Sequence, residues 1–174
     1  MFDKVLIVVG KTFSGKTYFV DKYLKNKGYT QVITHTTRPK RETEDENAYY
    51  FETEINQNGL ALREYDMIDN HVAYWTTKED IYNTVNPVII IDIEGAIEIA
   101  KTLGAENVRV VYVNELESVI FKRMTKGERS NENLSESLRR FNDDKKHFEK
   151  LDQKFRNLNG YNYMSGEKFL WINR

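Results

Sequence analysis

Apolar runs alternate along the chain with segments whose apolar residues recur at helical spacing. The runs at 5–9, 88–91 and 108–113 are continuous and rich in valine and isoleucine. Strands of this kind are typical of parallel sheets, because helices cover both faces of such sheets. Each run is followed by a helical pattern, and the patterns begin after Gly15, at Ile93 and at Leu116. The alternation predicts repeated strand–helix–strand units and therefore an α/β fold with a parallel sheet.

Stripes and end signals predict which helix faces are buried and where the helices end. The first helix carries the stripe Phe19, Val20, Tyr23 and Leu24, which Gly28 can terminate. The third carries Leu116, Val119, Ile120 and Met124, with Asn114 as its cap. A long last helix is expected to turn five side chains to the core: Leu134, Leu138, Phe141, Phe148 and Leu151. Residues 169–172 are compatible with a final strand.

The segment between the first helix and the run at 88 has a different character. Short alternating runs around 60–65 and 71–76 are separated by polar turns. This pattern predicts a small β-rich lobe over about 34–84, inserted into a core formed by 1–33 and 85–174. The 174 residues are expected to form one domain.

Composition excludes several classes of protein. Acidic and basic residues nearly cancel to a net charge of −1, which disfavours a nucleic-acid-binding surface. The chain has no cysteine and only three scattered histidines, His35, His71 and His147, so disulfides and a structural zinc site are not expected. The apolar runs are too short for a membrane span, and no signal peptide is apparent. We expect a cytoplasmic protein that is a monomer or a weak homodimer.

The segment directly after the first strand reads G-x-x-x-x-G-K-T, the pattern of a phosphate-binding loop (P-loop). A strand that ends in such a loop and opens into a helix aims backbone N–H groups and a helix dipole at one point. Lys16 can supply a cation to the β- and γ-phosphates, and Thr17 can offer its hydroxyl to Mg²⁺. The motif predicts a three-layer P-loop NTPase core that binds ATP through Gly10, Lys11, Thr12, Phe13, Ser14, Gly15, Lys16 and Thr17.

A second anion site is predicted in the inserted lobe. Arg38 and Arg41 lie three residues apart beside a proline, so both guanidinium groups can converge on one phosphate. The phenols of Tyr50 and Tyr74 can donate to the same phosphate.

In this region the chain resembles the guanylate kinase family. The family's T-T-R-x-P-R-x-x-E segment followed by Y-x-F appears here as Thr36-Thr37-Arg38, Arg41, Glu44 and Tyr49-Tyr50-Phe51. Further matches are Glu64 before a Y-G-T-like element at 74–76, the acid-containing strand end at 91–96, and an arginine-bearing lid over about 123–140. The resemblance covers roughly residues 4–150 and preserves the order of all these elements.

The resemblance implies a nucleoside monophosphate kinase that transfers the γ-phosphoryl group of ATP to GMP or dGMP, with Mg²⁺. It implies that Arg38, Arg41, Tyr50 and Tyr74 bind the phosphate of the acceptor. Glu44 belongs to the same substrate site. It also implies that Thr34, Glu64 and Thr76 read the base. One carboxylate such as Glu64 can accept hydrogen bonds from both N1–H and N2–H₂ of guanine.

The remaining candidate residues lie at the strand end and in the lid. Asp92 ends an apolar strand, where it can serve Mg²⁺ or cap the following helix, and Glu94 can contact acceptor or metal-bound water. The resemblance favours Arg123, Arg129 and Arg140 as ligands of the donor or transition state, with Arg139 as a rival to Arg140.

Departures from the family pattern leave alternatives open. Phe13 and Trp75 stand where the family usually has glycine. One alternative is a phage-type deoxynucleoside monophosphate kinase for another base, and a second is a non-catalytic guanylate-kinase-like interaction module. Such modules typically lose the P-loop lysine, whereas Lys16 is present here.

Overall fold

The computed structural model describes residues 4–40, 42, 44–66, 70–126, 134–148 and 169–173, with the backbone alone for His147 and 169–173. These residues form nine strands: β1 (Val5–Val9), β2 (Thr30–Gln31), β3 (His35–Thr36), β4 (Tyr50–Phe51), β5 (Leu60–Asp66), β6 (His71–Thr76), β7 (Pro87–Ile90), β8 (Val108–Asn114) and β9 (Phe169–Asn173). They also form five α-helices: α1 (Lys16–Phe19), α2 (Lys78–Tyr82), α3 (Ile93–Leu103), α4 (Glu117–Thr125) and α5 (Leu134–Phe148).

Five strands form a parallel sheet in the order β2-β7-β1-β8-β9. Its central strand, β1, is completely or nearly completely buried, with the side chains of Val5, Ile7 and Val9 in one core cluster and those of Leu6 and Val8 in another. The first cluster includes α3 and the second includes the helix after the P-loop. The sheet thus lies between helical layers, and the predicted α/β/α fold class is confirmed.

The helix after the P-loop is irregular. The α-helical turn α1 continues as a π-helical turn over Val20–Leu24 and a 3₁₀ turn over Lys25–Lys27, and the helical path ends at Gly28. Phe19, Val20 and Leu24 are buried as predicted. Tyr23 is half exposed, because the wider π-helical turn rotates it off the apolar stripe.

Two predictions about the later helices are wrong. Asn114 is the last residue of β8, and Leu116 occupies the N-cap position of α4 without a side-chain cap. In α5, Leu134 and Leu138 are substantially exposed, whereas Phe141 packs against the cluster of Phe13, Ile120 and Met124. Phe148 stacks on Tyr112. Leu151 lies outside the described residues.

The second sheet has the strand order β4-β3-β6-β5 and lies between β2 and β7 in the chain. Its strands begin at His35 and end at Thr76, inside the predicted 34–84 segment, although the domain boundaries themselves stay a prediction. The final strand expected at 169–172 is confirmed as β9, which pairs with β8. Within the described parts of the chain, no helix is long and apolar enough to cross a membrane.

Candidate functional site

The P-loop curls at the carboxyl end of β1. A Cβ atom at Gly10 would lie 2.7 Å from Ser14 Oγ and 2.8 Å from the Val113 carbonyl oxygen, so the close approach of these groups requires glycine. Lys16 Nζ donates hydrogen bonds to the carbonyl oxygens of Gly10 (2.9 Å) and Lys11 (3.0 Å). Ser14 Oγ is buried and has no hydrogen-bond partner among the described residues. The loop is folded around its own lysine, and Thr17 is exposed at the start of α1.

Several contacts hold the P-loop against α4 and α5. Phe13 is 8% exposed and packs on Ile120 and Met124. Lys11 Nζ lies 2.8 Å from Glu117 Oε1, which lowers the pKa of that carboxyl group. The Thr12 N–H donates to the Asp144 carboxylate. We call this set the loop–helix contacts. They give the loop a fixed shape.

The predicted donor arginines are distributed differently. Arg123 donates to the Phe13 carbonyl oxygen (2.9 Å) and to Glu115 Oε2 (2.9 Å), so it lies at the P-loop. Arg139 and Arg140 both donate to Glu136 on their own helix, and these contacts lower the pKa of Glu136, with the Arg139 hydrogen bond as the largest cause. The structure therefore does not separate the two rivals. Arg129 lies outside the described residues.

Arg38 forms the centre of a polar cluster in the lobe. It is 7% exposed and donates to both Glu44 oxygens (2.7 and 2.8 Å), while its Nε lies 3.1 Å from the Tyr74 hydroxyl. Burial acts to lower the pKa of Arg38, but Glu44 and Tyr74 raise it above the ordinary value, so the guanidinium group stays charged. Three predicted residues are thus brought together. Arg41 lies outside the described residues.

Tyr49, and not Tyr50, lies beside this cluster. The Tyr49 ring is 5.5 Å from the Arg38 guanidinium carbon and 6.0 Å from the Tyr74 ring. Tyr50 is half exposed and lies against His35, at 4.8 Å between ring centroids. The Y-x-F pattern could have indicated Tyr49, because the first tyrosine of the pattern is Tyr49 and not Tyr50.

A β-bulge decides which side chains of β5 face the Arg38 cluster. Leu60 pairs with Thr76, but Arg63, and not Leu62, pairs with Tyr74. The extra residue is accommodated at Ala61, whose φ of 54° is left-handed. Paired residues share a face of the sheet, so Arg63 and Tyr65 lie on the face of Tyr74. We call it the Arg63 face.

Glu64 consequently lies on the opposite face, paired with Ala73. Its carboxylate is 2.7 Å from His71 Nε2, and His71 Nδ1 is 2.8 Å from Asp66. Without the bulge, Leu62 would pair with Tyr74 and Glu64 would share that face, since a shift of one residue exchanges the two faces. The structure does not bring Glu64 to the Arg38 cluster, because of this extra residue.

The other predicted base-reading residues lie near β3. Thr76 is fully buried, and its hydroxyl lies 3.5 Å from Asp80 Oδ2. Asp80 also accepts from Thr77 at the start of α2 and contacts His35. Thr34 is partly buried and accepts a backbone hydrogen bond from Tyr50. Among the hydrogen bonds of the described residues, none joins Thr34 or Thr76 to Glu64.

Asp92 joins the lobe to the core sheet. Its Oδ1 accepts from the Gly95 N–H (2.6 Å), so it caps α3, the alternative to a metal role. Its Oδ2 accepts from the Tyr65 hydroxyl (3.0 Å) and lies 3.5 Å from Arg63 Nε. Burial, with Asp92 as the next cause, raises the pKa of Tyr65. Glu94 is partly buried in the first turn of α3.

These contacts bring the lobe to the edge of the main sheet at which the P-loop lies. Asp92 follows β7 and the P-loop follows β1, and the two strands are parallel neighbours. The carboxyl edge of such a sheet is where α/β proteins bind ligands. The lobe therefore presents its Arg63 face toward the edge that carries the P-loop.

Comparison with known proteins identifies the fold. No protein-family model matches the sequence, and no curated protein matches it. A crystal structure of guanylate kinase from Anaplasma phagocytophilum is similar to this chain with a TM-score of 0.51, over 83% of this chain and 86% of that one, at 19% sequence identity. The chain has a guanylate-kinase-like fold.

Sequence reasoning missed several residues that contribute to this arrangement. Arg63 and Tyr65 carry no sequence signal, since their placement depends on the bulge. Asp144 and Glu115 were missed because nothing in the local sequence shows that they reach the P-loop and Arg123.

Among the described residues, no group of three or more histidine, aspartate or glutamate side chains is arranged to hold a metal ion.

Proposed function

We propose that this protein is a nucleoside monophosphate kinase that transfers the γ-phosphoryl group of ATP to GMP or dGMP with Mg²⁺. The observation that carries the proposal is the Tyr65–Asp92 contact, which places the lobe's Arg63 face at the sheet edge that holds the P-loop. One site suits a nucleoside triphosphate and the other suits a second phosphate. The guanylate-kinase-like fold supports this choice over other two-nucleotide reactions.

The residues would act chiefly by binding and orientation. Lys16 would exchange its two loop carbonyl oxygens for the β- and γ-phosphates, while loop amides hold the donor. Arg38 and Tyr74 would hold the acceptor phosphate. Arg123, fixed by Glu115, would bring positive charge to the donor side. Phosphoryl transfer needs little more than alignment and charge neutralisation.

The donor set also fits Mg²⁺. Mg²⁺ takes oxygen ligands, keeps several waters and binds substrate phosphates. Thr17 supplies an exposed hydroxyl beside Lys16. Asp92 already accepts two hydrogen bonds, so it would reach the ion through water or by releasing Tyr65. When bound, Mg²⁺ would neutralise charge on the β- and γ-phosphates.

The proposal is tested with a substrate panel and one P-loop variant. In an ADP-release assay with GMP, dGMP, AMP, CMP, UMP and dTMP, we expect GMP or dGMP to be used best. Lys16→Ala should lower kcat by at least about 100-fold, because the variant loses a charge at the transferring group. Thermal unfolding should show that the variant is folded.

Lys25→Ala is the matched control, since Lys25 is exposed on the same helical segment and pairs with Asp21. It should keep wild-type turnover. Wild-type turnover by Lys16→Ala, or failure of every monophosphate to release ADP, would contradict the proposal. Calorimetric absence of ATP binding would favour the interaction module instead.

A further inference from the structure

The bulge in β5 turns two side chains, those of Arg63 and Tyr65, toward the Arg38 cluster. Arg63 pairs with Tyr74 across the strands, and the Tyr65 ring lies 6.0 Å from the Tyr74 ring. Tyr74 in turn accepts a hydrogen bond from Arg38. A mononucleotide whose phosphate binds Arg38 and Tyr74 would therefore extend along a surface formed by Arg63 and Tyr65.

Arg63 is held in place with donor capacity left over. Its Nη1 donates to the Leu62 carbonyl oxygen (2.6 Å) and to Glu98 Oε2 (3.1 Å) on α3. Its Nη2 donates to no group within the described parts of the chain, and the side chain is 23% exposed. A guanidinium group carries five N–H donors, so a fixed Arg63 still has donors for a ligand.

The Arg63 face offers hydrogen-bond donors to a base, whereas a carboxylate offers only acceptors. Glu64 could accept from the N1–H and N2–H₂ groups of guanine, but it lies on the other face and contacts His71. Arginine can only donate, and its preferred partner among bases is guanine, through the adjacent acceptors O6 and N7. Tyr65, about one third exposed, offers a ring for a base to stack on.

We propose that Arg63 reads the O6/N7 edge of the acceptor guanine, that Tyr65 stacks on the same base, and that Glu64 takes no part in base recognition. This inference rests on the proposed kinase function. It assigns base specificity to Arg63 and Tyr65, which the bulge at Ala61 places on the same face as Tyr74.

The test compares dGMP with 7-deaza-dGMP, in which a carbon replaces N7. For the wild type, kcat/KM should be about tenfold lower with the deaza analogue, because one hydrogen bond from a charged donor is lost. In Arg63→Ala, activity with dGMP should fall and the difference between the two substrates should disappear. Such coupling shows that Arg63 and N7 interact directly.

Controls separate this role from a structural one. Arg109→Ala removes an exposed arginine of β8 and should keep the wild-type preference for dGMP. If Arg63 only bridges the lobe to α3, Arg63→Ala will lower activity equally with both substrates and retain the deaza penalty, which would overturn the inference. If Arg63→Ala does not fold, Arg63→Gln is used in the same comparison.

Two further outcomes would also overturn the inference. Loss of the preference for GMP over AMP in Glu64→Gln would show that the Glu64 carboxylate recognises the base. A wild-type preference for CMP over GMP would show that another base is read. If none of the monophosphates supports ADP release by the wild type, it is the proposed kinase function that fails. The substrate panel shows this before any variant is made.

Discussion

Phe13 is the non-glycine residue of the P-loop that adopts a left-handed backbone conformation. Its φ is 60°, in the left-handed region that glycine adopts without strain. For other residues this conformation costs about 1–2 kcal/mol. The cost is offset by burial of the ring against Ile120, Met124 and Phe141, since a buried phenylalanine contributes about 3–5 kcal/mol relative to alanine.

This balance predicts that glycine at position 13 is more stable than alanine, the reverse of the usual order of the two residues. Both Phe13→Ala and Phe13→Gly lose the ring contacts and should lower the free energy of unfolding. Phe13→Gly should nevertheless be about 1 kcal/mol more stable than Phe13→Ala, because glycine accepts the positive φ. Urea unfolding at neutral pH measures both values.

Phe19 provides the matched comparison, since its ring is also buried and its φ is −62°. There the usual order should hold, with Phe19→Ala about 1 kcal/mol more stable than Phe19→Gly. An alanine advantage at both positions would mean that the left-handed conformation of Phe13 is not maintained in solution.

The bulge in β5 determines which side chains the lobe presents beside Tyr74. Ala61 carries the positive φ, and its N–H donates to Glu98 Oε1 on α3 (2.7 Å). The bulge is therefore held by a contact between the lobe and the core, as well as by the hairpin. Its effect is to exchange Glu64 for Arg63 beside Tyr74.

The placement of Glu64 can be tested without any enzyme assay. The His71 ring donates hydrogen bonds to Asp66 and to Glu64, and these two contacts, the Asp66 one being the larger cause, raise the pKa of His71 above its ordinary value. Glu64→Gln removes a negative charge beside the ring, so the pKa of His71 should fall toward the ordinary value while Asp66 still raises it. An NMR titration of the His71 ring measures the change.

Glu54→Gln removes an exposed carboxylate from the same lobe and should leave the His71 titration unchanged. An unchanged titration in Glu64→Gln would place Glu64 away from His71. In that case the register of β5 would have to be revised.

The main sheet of the whole molecule includes β9 as an outer strand, far along the chain from its partner β8. Five residues of β9 pair with β8, from Val110–Phe169 to Asn114–Asn173. The β8 side chains at 110–113 are buried, so this strand belongs to the interior. Without β9, the backbone groups on that side of β8 would be an open edge.

Removal of residues 169–174 should therefore lower the free energy of unfolding by about 3 kcal/mol, or Tm by roughly 10 °C. Differential scanning calorimetry measures the loss, and light scattering would detect self-association through the open edge. A chain that lacks Arg174 alone keeps β9 and serves as the control. Equal Tm values for the two truncated chains would show that β9 adds nothing to the fold.

Local patterns were sufficient for most of the architecture. The continuous apolar runs predicted β1, β7 and β8, because burial on both faces leaves no alternation, and the G-x-x-x-x-G-K-T spacing predicted the strand–loop–helix unit. The bulge was not predictable, because its stabilising contact comes from Glu98, 37 residues away. The exposure of Leu134 and Leu138 was missed for a similar reason, since spacing marks a stripe but not the surface available to cover it.

The loop–helix contacts have a consequence for the thermodynamics of ligand binding. A glycine-rich loop that is free to change shape loses conformational entropy when it closes on a phosphate. Here Phe13, Lys11 and the Thr12 N–H are fixed by α4 and α5 before any ligand arrives. The loop is preorganised, and its association with an anion should carry a smaller entropic penalty than that of a flexible loop.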